Sequence, residues 1–152
     1  MELEKARATF KLAEQLELRG IDFARSFSID EICREYNGVG PQFLPAAVRG
    51  AVTRILAVYE PAALIHDLRF GCSNGQDDAF NFANDEFHAN CKICARAKYG
   101  AINPKRYLAY PVIWFMNKYN CGSQGHRAWV EAYEKTTQRK KVQYEETVWH
   151  PE

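Results

Sequence analysis

The 152-residue chain has almost no excess of either charge: 20 lysines and arginines stand against 19 aspartates and glutamates. That balance removes the global field that draws a protein to nucleic acid or to an anionic membrane. The basic run Gln138-Arg139-Lys140-Lys141 is local and lacks the aromatic interleaving of a nucleic-acid reader, so it reads as a solvated face and no nucleic-acid partner is expected. Long apolar runs are missing too. The opening stretch MELEKARATFKLAEQLELRG is charged throughout, where a signal peptide needs an unbroken apolar region, and no segment approaches the ~18 apolar residues of a membrane span. The expectation is a soluble product made in the cytoplasm. Cysteines are few: Cys33, Cys72, Cys91, Cys94 and Cys121 form an odd, loosely spaced set, which argues for reduced thiols rather than a secreted disulfide framework.

What is present is helical periodicity. The length suits one domain over residues 1–152, burying roughly two thirds of its unfolded surface. Apolar residues recur at helical spacing from Leu3 to Leu18, with Gly20 after them, giving a charged helix expected at the periphery (1–26). Ser28-Ile29-Asp30-Glu31 has the form of a capping box and opens a short helix that Asn37-Gly38 ends. Pro45 opens a further helical segment, and the Glu60-Pro61 step breaks or kinks the chain before PAALIHDLRFG. From Asp77 to Lys98, Phe80, Ala83, Phe87, Cys91 and Cys94 make one apolar stripe that Gly100 closes. Two more helices follow, PKRYLAYPVIWFMNKYN and HRAWVEAYEKTTQRK, covering much of 101–152. The tail KKVQYEETVW alternates weakly and reads as a strand or an extended C-terminal arm. The fold class is all-α.

The residues with chemical potential are His66 and Asp67, adjacent inside an apolar helix. Neighbours on a helix point about 100° apart, so the two side chains face different surroundings. They can be the polar members of a buried helix, or they can divide a task. In the second case Asp67 faces the loop Asn37-Gly38-Val39-Gly40-Pro41, where glycines allow backbone carbonyls to converge on a hard cation such as Ca2+, and His66 is left as a base. A catalytic histidine needs a group that holds its tautomer. The short turn after Gly71 makes the 77–98 helix antiparallel to the His-Asp helix. Measured from Phe87, Asn84 lies about 60° from the apolar stripe while Asp85 points away, so Asn84 is placed to meet His66, with Asp77 as a second candidate.

The order NGxGP, then a proline-led helix, then A-x-x-x-HD-x-x-F, then AN-x-x-F-x-x-NC resembles the phospholipase A2 superfamily, most closely its small phage and prophage members. The matching residues are Asn37, Gly38, Gly40 and Pro41; Ala62, His66, Asp67 and Phe70; and Ala83, Asn84, Phe87 and Asn90. They define an expected core over 36–98. The resemblance implies two antiparallel helices, a calcium ion held by Asp67 with carbonyls of Gly38 and Gly40, and water activated by His66 to attack a phospholipid ester at a membrane surface. Two positions depart from that pattern: Asn84 stands where active members carry aspartate, and Phe70 where they usually carry tyrosine. The rival expectation is a non-catalytic virion component, a tail, baseplate or assembly protein that keeps the scaffold and binds other virion proteins. Release by lysis or incorporation into a particle would carry either product out of the cell without a signal peptide.

Other patterns have plainer readings. His88, Cys91 and Cys94 with Cys121 have the residue types of a zinc site, but cysteines on an apolar stripe are more often small buried side chains. Tyr107, Tyr110, Trp114, Phe115 and Tyr119 can be read as a lipid-contacting surface, yet spacings of three and four favour burial against the bundle, as they do for Trp129 and Tyr133.

Overall fold

A helix that is apolar on nearly every side has to be surrounded. In the computed structural model, which describes residues 3–36, 56–100 and 102–148, that helix is α4 (Glu60–Gly71), where Pro61, Ala62, Ala63, Leu64, Ile65, His66 and Leu68 are all buried. Against it pack α1 (Leu3–Gln15), α2 (Ile21–Ala24), α3 (Ile29–Glu35), α5 (Asp77–Tyr99) and α7 (Ser123–Val148), while α6 (Lys105–Asn120) packs on α5 and α7. The described residues contain no strand, and the fold is all-α. No helix among them is long and apolar enough to cross a membrane.

Local chemistry sets the ends of these elements. Ser28 and Glu31 close the capping box at the start of α3: Ser28 Oγ accepts from the Glu31 amide at 3.3 Å and Glu31 Oε2 accepts from the Ser28 amide at 2.7 Å. Pro61 sits in the first turn of α4, where a missing amide hydrogen costs nothing. Helix α5 has Asp77 and Asp78 in its first turn and Arg96 and Lys98 in its last, matching the helix dipole, and Gly100 ends it at φ +71°.

Helices α4 and α5 are antiparallel. His66 lies against Asn84 and Phe87, and Phe70, one turn on, lies against Phe80, so one numbering rises as the other falls. The α5 stripe Phe80, Ala83, Phe87, Cys91 and Cys94 is buried throughout.

Three expectations change. The 1–26 segment is not peripheral: Ala6, Ala13, Leu18 and Ala24 belong to the main core, because small residues on α1 and α2 let those helices approach α4 closely. The C-terminal tail is not an extended arm: α7 continues to Val148, and its residues 138–146 are rich in helix-favouring Lys, Arg, Gln and Glu with no Gly or Pro to stop it. The aromatic side chains of α6 do not enter the core. Ala109, Ile113 and Met116 do so instead, and Tyr107, Tyr110, Trp114, Phe115 and Tyr119 are exposed. Both sets follow spacings of three and four, and the smaller set takes the inner face.

Candidate functional site

His66 is carried on the buried α4 and is 8% exposed. Its ring lies between Phe70 and Phe87, with centroid separations of 4.4 and 4.7 Å. Its Nε2 lies 3.1 Å from Asn84 Oδ1 on α5. Asn84 is fully buried, and its own Nδ2 donates to the Phe80 carbonyl at 3.0 Å. Turning that amide over would set its oxygen against a carbonyl oxygen, so Oδ1 is the atom that faces the imidazole. An amide oxygen only accepts. Neutral His66 therefore carries its proton on Nε2, and Nδ1 keeps a lone pair.

That lone pair is on the Asp67 side, with Nδ1 3.9 Å from Asp67 Oδ1, beyond hydrogen-bond length. Asp67 is also felt by Tyr36: burial first, then the negative charges of Glu60 and Asp67, push the Tyr36 phenol above its usual value. Tyr36 is buried, and its hydroxyl approaches the Glu60 carbonyl at 3.4 Å. It is also the last described residue before the glycine loop. Gly38, Gly40 and the helical segment expected from Pro45 lie outside the described residues.

No protein family, curated protein or solved structure matches this chain. The site is therefore read from its own geometry. It brings together His66, Asn84 and Asp67, with Phe70 and Phe87 fixing the ring. Asp77 is elsewhere: at the exposed start of α5, its Oδ1 lies 2.9 Å from His126 Nε2 of α7, which removes it from the His66 site. Among the described residues no cluster of three or more His, Cys, Asp and Glu is arranged to hold a metal. Cys91 and Cys94 lie in the core, where burial raises both thiols, that of Cys94 to about 11.

Several supporting residues were not visible as such in the sequence. Arg69 forms a two-pronged pair with the buried Glu86 carboxylate at 3.0 and 3.1 Å, while its guanidinium lies 3.9 Å from the Phe23 ring centroid. Asn90 takes both backbone groups of Arg19, accepting from N at 2.8 Å and donating to O at 2.9 Å, as a neighbouring strand would. These contacts fix α5, and with it Asn84, relative to α4, to α2 and to the link between α1 and α2. Behind Phe70, Trp129 packs edge-on at 5.1 Å, and Ser73 Oγ donates to the Trp129 carbonyl at 3.0 Å. The Trp129 indole nitrogen is buried without a hydrogen-bond partner among the described residues. The "AN-x-x-F-x-x-N" pattern held the signal for Asn84, Phe87 and Asn90, and helical spacing that for the burial of Trp129; nothing local marked Tyr36 or set Trp129 behind Phe70.

Proposed function

We propose that this chain is a phage-type phospholipase A2-like protein in which His66 acts as general base in calcium-dependent hydrolysis of a phospholipid ester. The observation that carries the reading is the His66–Asn84 hydrogen bond; with Asn84 Nδ2 committed to the Phe80 carbonyl it supports a proton on Nε2, which would make Nδ1 the proton acceptor. In the proposed reaction Nδ1 removes a proton from a water molecule as its oxygen attacks the ester carbonyl carbon. The imidazolium then returns that proton to the departing glycerol oxygen, so a fatty acid and a lysolipid leave and the imidazole is neutral again. Asn84 holds the ring in one tautomer, and Phe70 and Phe87 prevent it from turning.

Calcium suits the donor chemistry as far as the described residues reach. Asp67 offers a hard carboxylate oxygen, and its charge contributes to raising the Tyr36 phenol; the carbonyls of Gly38 and Gly40, outside the described residues, would complete the proposed set. Bound there, the ion would polarise the ester carbonyl and stabilise the oxyanion. A second reading, a non-catalytic virion component, is favoured by the neutral Asn84 in place of a carboxylate and by the low exposure of His66.

Mixed phospholipid vesicles, incubated with calcium or with chelator, separate the two. Calcium-dependent fatty-acid release by the parent is expected to vanish in His66→Ala. It is expected to rise in Asn84→Asp by roughly 10²-fold or more, because a carboxylate stabilises the imidazolium better than an amide does. Release from neither the folded parent nor Asn84→Asp sinks the enzymatic reading and leaves the scaffold.

A further inference from the structure

His66 sits on a seam between two apolar clusters. Beside its ring on one side is Phe87, a buried member of the main core; on the other is Phe70, which is only half-buried and packs on a smaller cluster of Phe80, Ala83 and Trp129. The two walls of the imidazole are therefore held differently. The main core fixes Phe87. Apart from His66, the rings that meet Phe70 are Phe80, with centroids 6.3 Å apart, and Trp129, at 5.1 Å with the planes 79° apart. Edge-to-face contact at that distance is a preferred geometry, so Trp129 is the closer and better oriented support.

Trp129 is the one buried side chain that α7 contributes among the described residues, and the main core takes none from that helix. The same face of α7 fastens it in place. At about 100° per residue, His126, Trp129, Tyr133 and Thr136 fall within an arc of about 80°. His126 Nε2 lies 2.9 Å from Asp77 Oδ1, Ser73 Oγ donates to the Trp129 carbonyl at 3.0 Å, and Thr136 Oγ1 lies 3.2 Å from the Gly71 carbonyl. Tyr133 lies so close to Gly75 that a Cβ there would come within 3.0 Å of its ring. Every one of these partners lies between Gly71 and Asp77, in the turn that joins α4 to α5 and so carries His66 towards Asn84. The Trp129 indole nitrogen, buried without a hydrogen-bond partner among the described residues, adds a desolvation cost that a phenyl ring would avoid. What the position uses is the ring.

We propose that Trp129 is a positioning residue for His66: clamped by α7 on the α4–α5 turn, its indole presses Phe70 against the imidazole and keeps Nε2–H on Asn84. This role rests on the reading of His66 as general base, but the geometry it requires is measured without turnover.

The full chain, labelled with 15N-histidine, tests it at about pH 8, where an unperturbed imidazole is neutral. Four histidines are present, and the signal lost in His66→Phe identifies the ring. The parent is expected to show an Nε2–H proton in slow exchange with water. In Trp129→Leu, with the fold verified by circular dichroism, that proton is expected to exchange about tenfold faster or more and the ring to populate both tautomers; Trp129→Phe is expected to restore the parent signal. Ile113→Ala, which removes a buried side chain from the α6 part of the main core, is expected to lower stability and leave the His66 signal unchanged. Native-state exchange of the parent in low urea tests the same hold without a variant: His66 Nε2–H and the amides of α7 around Trp129 are expected to exchange through one opening. The proposal is overturned by a parent-like Nε2–H signal in folded Trp129→Leu, by failure of Trp129→Phe to restore it, by equal loosening in Ile113→Ala, or by Nε2–H protection that outlasts that of α7. If lipid is hydrolysed, kcat in Trp129→Leu is expected to fall roughly 10–10²-fold with KM little changed. A His66 signal that responds as expected in a protein that hydrolyses nothing sinks the base and leaves the clamp; hydrolysis with a signal indifferent to Trp129 does the reverse.

Discussion

Replacing Asn84 by leucine keeps the number of side-chain heavy atoms, though it adds some volume, and deletes the hydrogen-bond partner of His66 Nε2 among the described residues. The Phe80 carbonyl that Asn84 also touches is within α5 and keeps its helical backbone partner, so its loss of the side-chain bond is minor. The cost concentrates on the imidazole, whose N–H is left buried without an acceptor. A buried donor stranded in this way costs ~1–3 kcal/mol, so Asn84→Leu is expected to lower unfolding stability by about 2 kcal/mol, a sizeable share of the ~5–15 kcal/mol typical of a domain. Adding His66→Phe removes the stranded donor and keeps a ring between Phe70 and Phe87. The double variant is therefore expected to be more stable than Asn84→Leu alone, with a coupling of ~1–3 kcal/mol in the cycle. Urea unfolding at about pH 8, where an unperturbed imidazole is neutral, measures all four proteins. Nitrogen chemical shifts of the His66 ring provide a second readout, since the Nε2–H form is expected to dominate in the parent. Additivity of the two substitutions to within about 0.5 kcal/mol, or a parent ring protonated on Nδ1, would refute the assignment.

Gly20 is held at φ +78°, and a Cβ there would lie 2.6 Å from Glu86 Oε1. Gly20→Ala is therefore expected to add left-handed backbone strain and to push Glu86 away from Arg69, costing ~2 kcal/mol or more and lowering Tm by about 4–8 °C; a thermal melt within about 1 °C of the parent would contradict it. Alkaline pH acts through the core. Folding raises the Cys94 thiol from 9.0 to about 11, so the folded state retains a proton that the unfolded state gives up. That contribution is fully present below pH 9.0 and is lost as pH rises towards about 11. Buried Tyr36, Tyr59 and Cys91 shift in the same direction. Tm measured against pH under reducing conditions should fall across this window, and less steeply in Cys94→Ala.

Where a pattern was local and strong, the sequence foretold the structure closely. The α5 stripe, expected over Asp77 to Lys98 and closed by Gly100, forms Asp77–Tyr99, and the capping box at Ser28 forms with both its bonds. The meeting of Asn84 with His66 followed from two short inferences, an antiparallel turn and the angle around one helix. Failures arose where two faces of one helix carried equally good periodicity, as on α6, or where a distant element decided the outcome. Asp77 is claimed by His126, forty-nine positions along the chain, and no spacing rule reaches that far. The tail misled because weak alternation is a poor signal beside a run of helix-favouring residues without a breaker.

The central position of α4 bears on how the chain reaches its fold. Lys5 of α1 pairs with Glu60 at the start of α4 at a sequence separation of 55, Thr136 of α7 donates to the Gly71 carbonyl at its end at a separation of 65, and Asn90 clasps Arg19 across 71 positions. The helix therefore has a partner from both the first and the last described helix, although α1 also packs on the nearby α3 and α7 on the preceding α6. Each such closure carries an entropic penalty that grows with the logarithm of the intervening length, which places this all-helical chain among slower folders than its secondary structure alone would indicate. During synthesis the seat for α7 exists before α7 does, and the apolar surface around Phe70 and Phe80 waits in water until Trp129 has been made.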